Sequence, residues 1–157
     1  MRGLIGGAMA LALIVPEVAI AQREVPYFAS LGASKARMRT GPGREFPATW
    51  LYQRAGLPVK VIEVYHSWRK IEDPDGTTGW MQANLLNYER TAMVTGGIRE
   101  LRASADPKAS VVWRAEPGVI GRLMECARGW CLVDVKGRNG YVSTAHVWGV
   151  AADEKLP

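Results

Sequence analysis

Apolar residues in this chain gather in short β-rich runs, and almost no segment carries a helical period of useful length. Turn residues punctuate the runs: Gly41-Pro42-Gly43, Asp73-Pro74-Asp75-Gly76, Thr95-Gly96-Gly97, Asp106-Pro107 and Asn139-Gly140. Strands interrupted so regularly predict an all-β fold built from small antiparallel barrels.

The pattern is also written twice. Arg39 to Trp50 and Arg102 to Trp113 share one spacing, and each Trp is followed by a turn glycine, Gly56 or Gly118. Val61-Ile62-Glu63-Val64 then matches Leu123-Met124-Glu125-Cys126, and Trp68-Arg69-Lys70-Ile71 matches Trp130-Cys131-Leu132-Val133. Gly79-Trp80 matches Gly140-Tyr141, and the apolar tail Leu85-Leu86 matches Val147-Trp148. Two one-residue deletions align the copies over about fifty residues, which marks a duplication. Each copy has only about sixty residues, near the lower limit for a lone domain, so the two barrels are expected to pack together. The expected organisation is an extension at 22–30, one barrel at 31–90, a second at 91–150 and a tail at 151–157. Asn87 to Thr95 contains Met93 and Val94 and reads as a last strand of the first barrel running directly into the second.

The first 21 residues read as a cleavable signal peptide. Arg2 supplies the positive end, Leu4 to Val15 is apolar, Pro16-Glu17 breaks the run, and Ala19-Ile20-Ala21 offers a small-x-small cleavage pattern. The apolar core is short for a membrane span, which takes roughly 20 residues. An uncleaved anchor is the weaker reading, and no Cys near the cut invites a lipid. The expected location is therefore periplasmic or secreted, without stable membrane insertion. Cleavage removes one charge of each sign, so the net charge of +5 persists. Outside the cytoplasm such a surface meets anionic envelope polymers or headgroups more often than nucleic acid; alternatively, the mild basicity only aids solubility.

An oxidising compartment favours pairing the two cysteines, Cys126 and Cys131. If Arg128-Gly129 forms a two-residue turn, Ala127 pairs with Trp130 and Cys126 faces Cys131. Such a non-hydrogen-bonded pair has Cα atoms roughly 4.5 Å apart, within disulfide reach. A loop this small stabilises by only about 2 kcal/mol. The first copy has Val64 and Arg69 in these slots, so the fold does not depend on the crosslink. A redox role is disfavoured because the spacing is not Cys-x-x-Cys.

Several of these segments together resemble the bacterial SH3-like domain family, SH3b. They are Arg37-Met-Arg-Thr-Gly-Pro-Gly43, Gly56-Leu-Pro-Val-Lys-Val-Ile62, the block from Trp68 to Trp80, Glu125 to Cys131, and His146-Val-Trp-Gly149. The resemblance covers nearly all of Ser30 to Val150 and is greatest for the exported, two-copy type of Gram-negative bacteria. It implies two tandem SH3-like barrels and a non-catalytic role, since relatives serve as modules for cell-wall or peptide binding, often attached to wall hydrolases. No hydrolase domain is read in this sequence. The second copy departs from the pattern, with Ala105-Asp-Pro-Lys108 in place of Gly-Pro-Gly and Tyr141 in place of Trp80. The acidic first loop and aromatic set with which eukaryotic SH3 domains read proline-rich ligands are not reproduced.

Trp68 and Trp130 each precede an apolar residue, Ile71 or Val133, by three positions. Residues three apart on a strand face opposite sides, so core positions for Ile71 and Val133 place both indoles on the outer face. There they form a stacking platform, or else each ring lids its own barrel or is buried between the two. Trp50 and Trp113 are expected in the core or the interface. The candidate ligand-binding set is Trp68, Arg69, Lys70, Arg128 and Trp130, with the cations engaging carboxylates or phosphates.

Catalysis has little to draw on, and no enzyme activity is expected. Only His66 and His146 are present, with no carboxylate cluster for a metal and no motif for a cofactor. A Cys–His dyad through His146 requires thiols that the disulfide consumes. Asp73-Pro-Asp75-Gly is a turn signature lacking the remaining calcium ligands, and Gly41-Pro-Gly43 lacks the Lys-Ser/Thr of a phosphate loop. The expected partner is peptidoglycan or an envelope peptide or protein, not nucleic acid; the alternative is an adaptor binding a partner protein through the barrel surface.

Overall fold

The duplicated pattern folds into duplicated sheets. The computed structural model describes residues 23–157; the signal segment and its cut after Ala21 lie outside the described residues. The first sheet comprises β1 (Tyr27–Leu31), β2 (Ala36–Arg39), β3 (Ala48–Tyr52), β4 (Pro58–Tyr65), β5 (Trp68–Glu72), β6 (Thr78–Gln82) and β7 (Leu86–Asn87). The second comprises β8 (Thr91–Val94), β9 (Arg99–Arg102), β10 (Val111–Ala115), β11 (Ile120–Ala127), β12 (Trp130–Val135), β13 (Arg138–Ser143) and β14 (Val147–Trp148). Their strand orders, β3-β2-β6-β5-β4-β1-β7 and β10-β9-β13-β12-β11-β8-β14, are the same order advanced by seven strands. A single 3₁₀ turn, Ala83–Leu85 or Thr144–His146, precedes the last strand of each.

Each sheet curls around its own apolar centre. Leu31, Met38, Val59, Val61, Ile71 and Met81 fill the first, and Leu101, Leu123, Cys126, Cys131, Val133 and Val142 fill the second. The long strands β4 and β11 carry a bulge at the same place, between Val61 and Glu63 and between Leu123 and Glu125. One extra residue bends the strand, and that bend lets each long strand pair with two neighbours around a closing barrel.

The hairpin of the second copy forms as its sequence demands. Cys126 pairs with Cys131 and Ala127 with Trp130, and the two sulfurs are bonded across a Cα separation of 4.1 Å. Arg128 and Gly129 have φ of 51° and 80°, the positive values that a type I′ turn requires.

The stretch 22–30, expected as an extension, contributes to the first sheet: Tyr27 to Ser30 pair with β4, and Ser30 also pairs with β7, so that sheet begins before residue 31. At the junction, read as a last strand running directly into the second barrel, two strands are separated by a short crossing. β7 stops at Asn87 and β8 starts at Thr91, while the Ser30 hydroxyl donates to the Glu89 carbonyl at 2.8 Å and pins the crossing.

The barrels do lean on each other. Met93 and Ile120 of the second pack against the first core. Phe28 meets Trp148 edge to face at 5.3 Å, and the Thr91 hydroxyl donates to the Gly56 carbonyl at 2.7 Å. Arg90 donates to the Gly149 carbonyl at 2.8 Å and pairs with Glu154. Burial opposes charge on Glu154, but hydrogen bonds from Arg90 and the Ala151 N–H prevail and hold its carboxyl below the usual range. That anchor draws the C-terminal tail back over the second barrel, where Leu156 exchanges two backbone hydrogen bonds of 3.0 Å with Cys126. The tail thereby covers an edge of β11 that would otherwise offer unpaired backbone groups.

Candidate functional site: unlike grooves beside equivalent tryptophans

Trp68 opens β5, paired with Tyr65 on one side and Gln82 on the other. Ile71 belongs to the core cluster and Trp68 does not, so the indole is on the outer side, as the three-residue offset demands. It is nevertheless only 8% exposed. It lines a groove of about 530 Å³ together with Lys35, Arg37, Arg39, Arg44, Leu51, Gln82 and Leu85. Of the two placements expected for this ring, an open platform or a lid over its own barrel, the low exposure fits the lid. Arg39 is fixed by donating to the carbonyls of Arg44 at 3.2 Å and Phe46 at 2.7 Å, which ties the Gly-Pro-Gly loop to β2.

Trp130 is half-buried and lies on a different groove, of about 650 Å³. Its walls are Ala103 to Ala105, Glu125, Arg128, Tyr141 and the tail residues Leu156 and Pro157. The Tyr141 hydroxyl donates to Glu125 at 2.5 Å, and this bond raises the phenol pKa above its ordinary value. The two grooves thus share a tryptophan position but differ in walls and charge.

The difference is sharpest on β2 and its counterpart β9. Arg37 pairs with Leu51 across β2 and β3, and Glu100 pairs with Arg114 across β9 and β10, which makes Arg37 and Glu100 equivalent positions. Glu100 accepts from Arg102 at 2.6 Å and from Arg114 at 3.0 Å. In the first barrel the corresponding face has no carboxylate in its lining. None of Lys35, Arg37, Arg39 and Arg44 takes part in an ion pair among the described residues.

The other candidates have their own places. Arg69 turns away from the groove and donates to the carbonyls of His66 and Trp68, both at 2.9 Å. Lys70 faces Glu63 at 3.6 Å. Arg128 stands in the hairpin turn and, with Trp130, walls the second groove. The cations beside Trp68 are instead Lys35, Arg37, Arg39 and Arg44, which sequence reasoning missed; topology brings them there, because β2 pairs with β6. Trp50 is not in the core or interface: it is 58% exposed on the edge strand β3. Trp113 is half-buried, donating to the Asn139 carbonyl at 3.0 Å with the Arg138 guanidinium 4.8 Å from its ring.

Both cysteines are spent in the disulfide. His146, whose pKa burial and the nearby Arg99 charge lower, has no free thiol to activate. Among the described residues no group of three His, Cys, Asp or Glu could hold a metal. No helix among them is long and apolar enough to cross a membrane.

Residues 32–87 and 97–149 each match the family described as Bacterial SH3 domain. Among solved structures, NlpC1 from Trichomonas vaginalis aligns with 88% of this chain and 50% of its own, at 8% identity and a TM-score of 0.36. An NlpC/P60 family protein from Bacillus cereus aligns with 76% of this chain and 55% of its own, at 15% identity and a TM-score of 0.36. Trichomonas vaginalis NlpC2 aligns with 80% of this chain and 49% of its own, at 8% identity and a TM-score of 0.36. The chain thus spans about half the length of the solved structures it matches. A search of curated proteins returns no match.

Proposed function

The chain belongs to the bacterial SH3 domain family, and from that premise we propose that it is an exported, non-catalytic binding module of the cell envelope. Its ligand on this reading is peptidoglycan or one of its stem peptides. The observation that carries the reading is the groove lined by Trp68, with an aromatic ring, apolar edges at Leu51 and Leu85, and a cationic wall. A stem peptide offers the complement: aliphatic side chains for the ring and carboxylates for the wall. The disulfide suits an oxidising compartment outside the cytoplasm.

Retention on purified sacculi tests this. The wild-type protein is expected to sediment with them, and Trp68→Ala and Leu51→Ala are each expected to lose at least about half of that retention. Leu51 is 43% exposed, so its truncation leaves the core intact. Equal retention of both folded variants would remove the groove from the account.

A second reading, an adaptor for a partner protein, draws on the adjoining sheet edge, which shares Leu51 with the groove. The edge strand β3 exposes Trp50 and Leu51, with Phe46 nearby in the preceding loop. Exposed edges with apolar side chains invite strand addition by another chain. Loss of retention in Trp50→Ser, with Trp68→Ala unaffected, would favour that reading.

A further inference from the structure

We propose that the groove of the first barrel is an oxyanion site for clustered carboxylates or phosphates, and that the second barrel has lost the same site to its own Glu100. This rests on the reading of the chain as a recognition module and names the chemistry that its groove selects.

Four cations converge on one groove without a carboxylate in its lining. Like charges gathered on one wall repel each other and cost stability unless an anion neutralises them. Proteins usually temper such a cluster with interspersed acids, and the second barrel does so. At the position of Arg37 it carries Glu100, which two arginines grip at 2.6 and 3.0 Å. Glu100 is thus an internal rehearsal of a ligand carboxylate on this face, held by the charge-assisted hydrogen bonds that guanidinium groups form best. The first barrel reverses that one charge, keeps Arg39 where the second has Arg102, and adds Lys35 and Arg44 to the wall.

Geometry supports capture more than display. Arg39 is pre-set by its two carbonyl contacts, so part of the ordering cost is met before a ligand arrives. Trp68 lines the groove beside these cations, and its apolar ring lowers the local polarity, which strengthens attraction to an anion there. The exposed side chains of Lys35, Arg37 and Arg44 make no hydrogen bond or ion pair among the described residues, so all three are available to a ligand. The reading predicts one anion site per chain, where the duplication alone predicts two.

Titration of the chain from residue 22 onward with two defined probes, inorganic tripolyphosphate and a tetraglutamate peptide, tests the proposal by calorimetry and amide chemical shifts. One equivalent is expected to bind, with shifts centred on Arg37, Arg39 and Trp68. Affinity is expected to fall at least about tenfold between low and high salt. Arg37→Glu is expected to weaken binding at least about tenfold, whereas Lys136→Glu, the same charge change in the exposed β12–β13 turn, leaves it nearly unchanged. Glu100→Gln frees Arg102 and Arg114 and is expected to add a second, weaker equivalent.

The probe that binds more tightly identifies the carboxylate or the phosphate as the preferred source. Binding of neither, two equal sites in the wild type, or equal losses in Arg37→Glu and Lys136→Glu would overturn the assignment. Probe binding without sacculus retention keeps the oxyanion site and removes the wall ligand. Retention without probe binding does the reverse.

Discussion

Asp73→Ala is expected to lower the unfolding free energy by about 3 kcal/mol, seen as a lower urea midpoint at an unchanged slope. Asp73 closes the β5–β6 loop and is only 7% exposed. One carboxylate oxygen accepts the Tyr52 hydroxyl at 2.8 Å, and the other accepts the N–H groups of Asp75 at 3.0 Å and Thr77 at 2.8 Å. Alanine leaves all three donors without that partner, and the phenol cannot reach water from its buried position. Tyr52→Phe removes one of the three bonds and is expected to cost about 1 kcal/mol. The double variant should cost less than the sum, because the two residues share a bond.

The same pair sets a limit in alkali. Burial, then the hydrogen bond to Asp73, raises the Tyr52 phenol well above its ordinary value. A folded pKa above the unfolded one means that the stabilisation is complete below about pH 10 and is lost as the pH rises through the folded value. Tyr52→Phe should therefore flatten the alkaline fall in stability. An equal fall in both proteins would show that another group is responsible.

Gly149→Ala is the second large effect, again about 3 kcal/mol or more. Gly149 follows β14 with φ of 116°, a conformation that L side chains rarely adopt. A Cβ there would lie 2.5 Å from the Thr91 carbonyl oxygen, 3.0 Å from the Pro58 Cβ and 3.2 Å from the Ala92 Cα. Backbone atoms supply two of those contacts, so no flexible side chain can swing aside. The displaced elements carry the junction: Thr91 donates to Gly56, and Arg90 donates to Gly149 itself. Thermal unfolding followed by calorimetry should show a lower midpoint and weaker coupling of the two barrels. Gly97→Ala, with no atom within 4 Å of the new Cβ, serves as the neutral comparison; equal midpoints for the two variants would contradict the crowding argument.

Much of the fold was legible because its signals are local. Turn glycines, paired β-rich runs and the Cys126–Cys131 spacing each constrain a few neighbouring residues, and the hairpin register followed from them. Repetition then supplied what a single copy could not, since the matched tryptophans and Gly–aromatic pairs marked two copies of one domain, as the two family matches do. The bulges in β4 and β11 carry no comparable signature and were not foreseen.

The site was less legible because it is assembled across sequence. Trp68 shares its groove with Lys35 and Arg37 only because β2 pairs with β6, which neighbours β5. Arg69 and Lys70 are adjacent to Trp68 in sequence, yet alternation and the turn send Arg69 to backbone carbonyls and Lys70 to Glu63. Trp50 looked like a core or interface residue from its mid-strand place beside apolar neighbours, but β3 ends the sheet and leaves its ring outside. The charge asymmetry between Arg37 and Glu100 was visible as letters, and only the strand register showed that the two positions correspond.

The most direct measurement is a chemical-shift titration of the isotope-labelled chain from residue 22 onward with soluble, carboxylate-bearing muropeptides. The account predicts that the Trp68 indole N–H and the amides of β2 move together and saturate at one equivalent, while the Trp130 indole stays in place. Shifts confined to the second barrel, or an absence of shifts at saturating ligand, would contradict it.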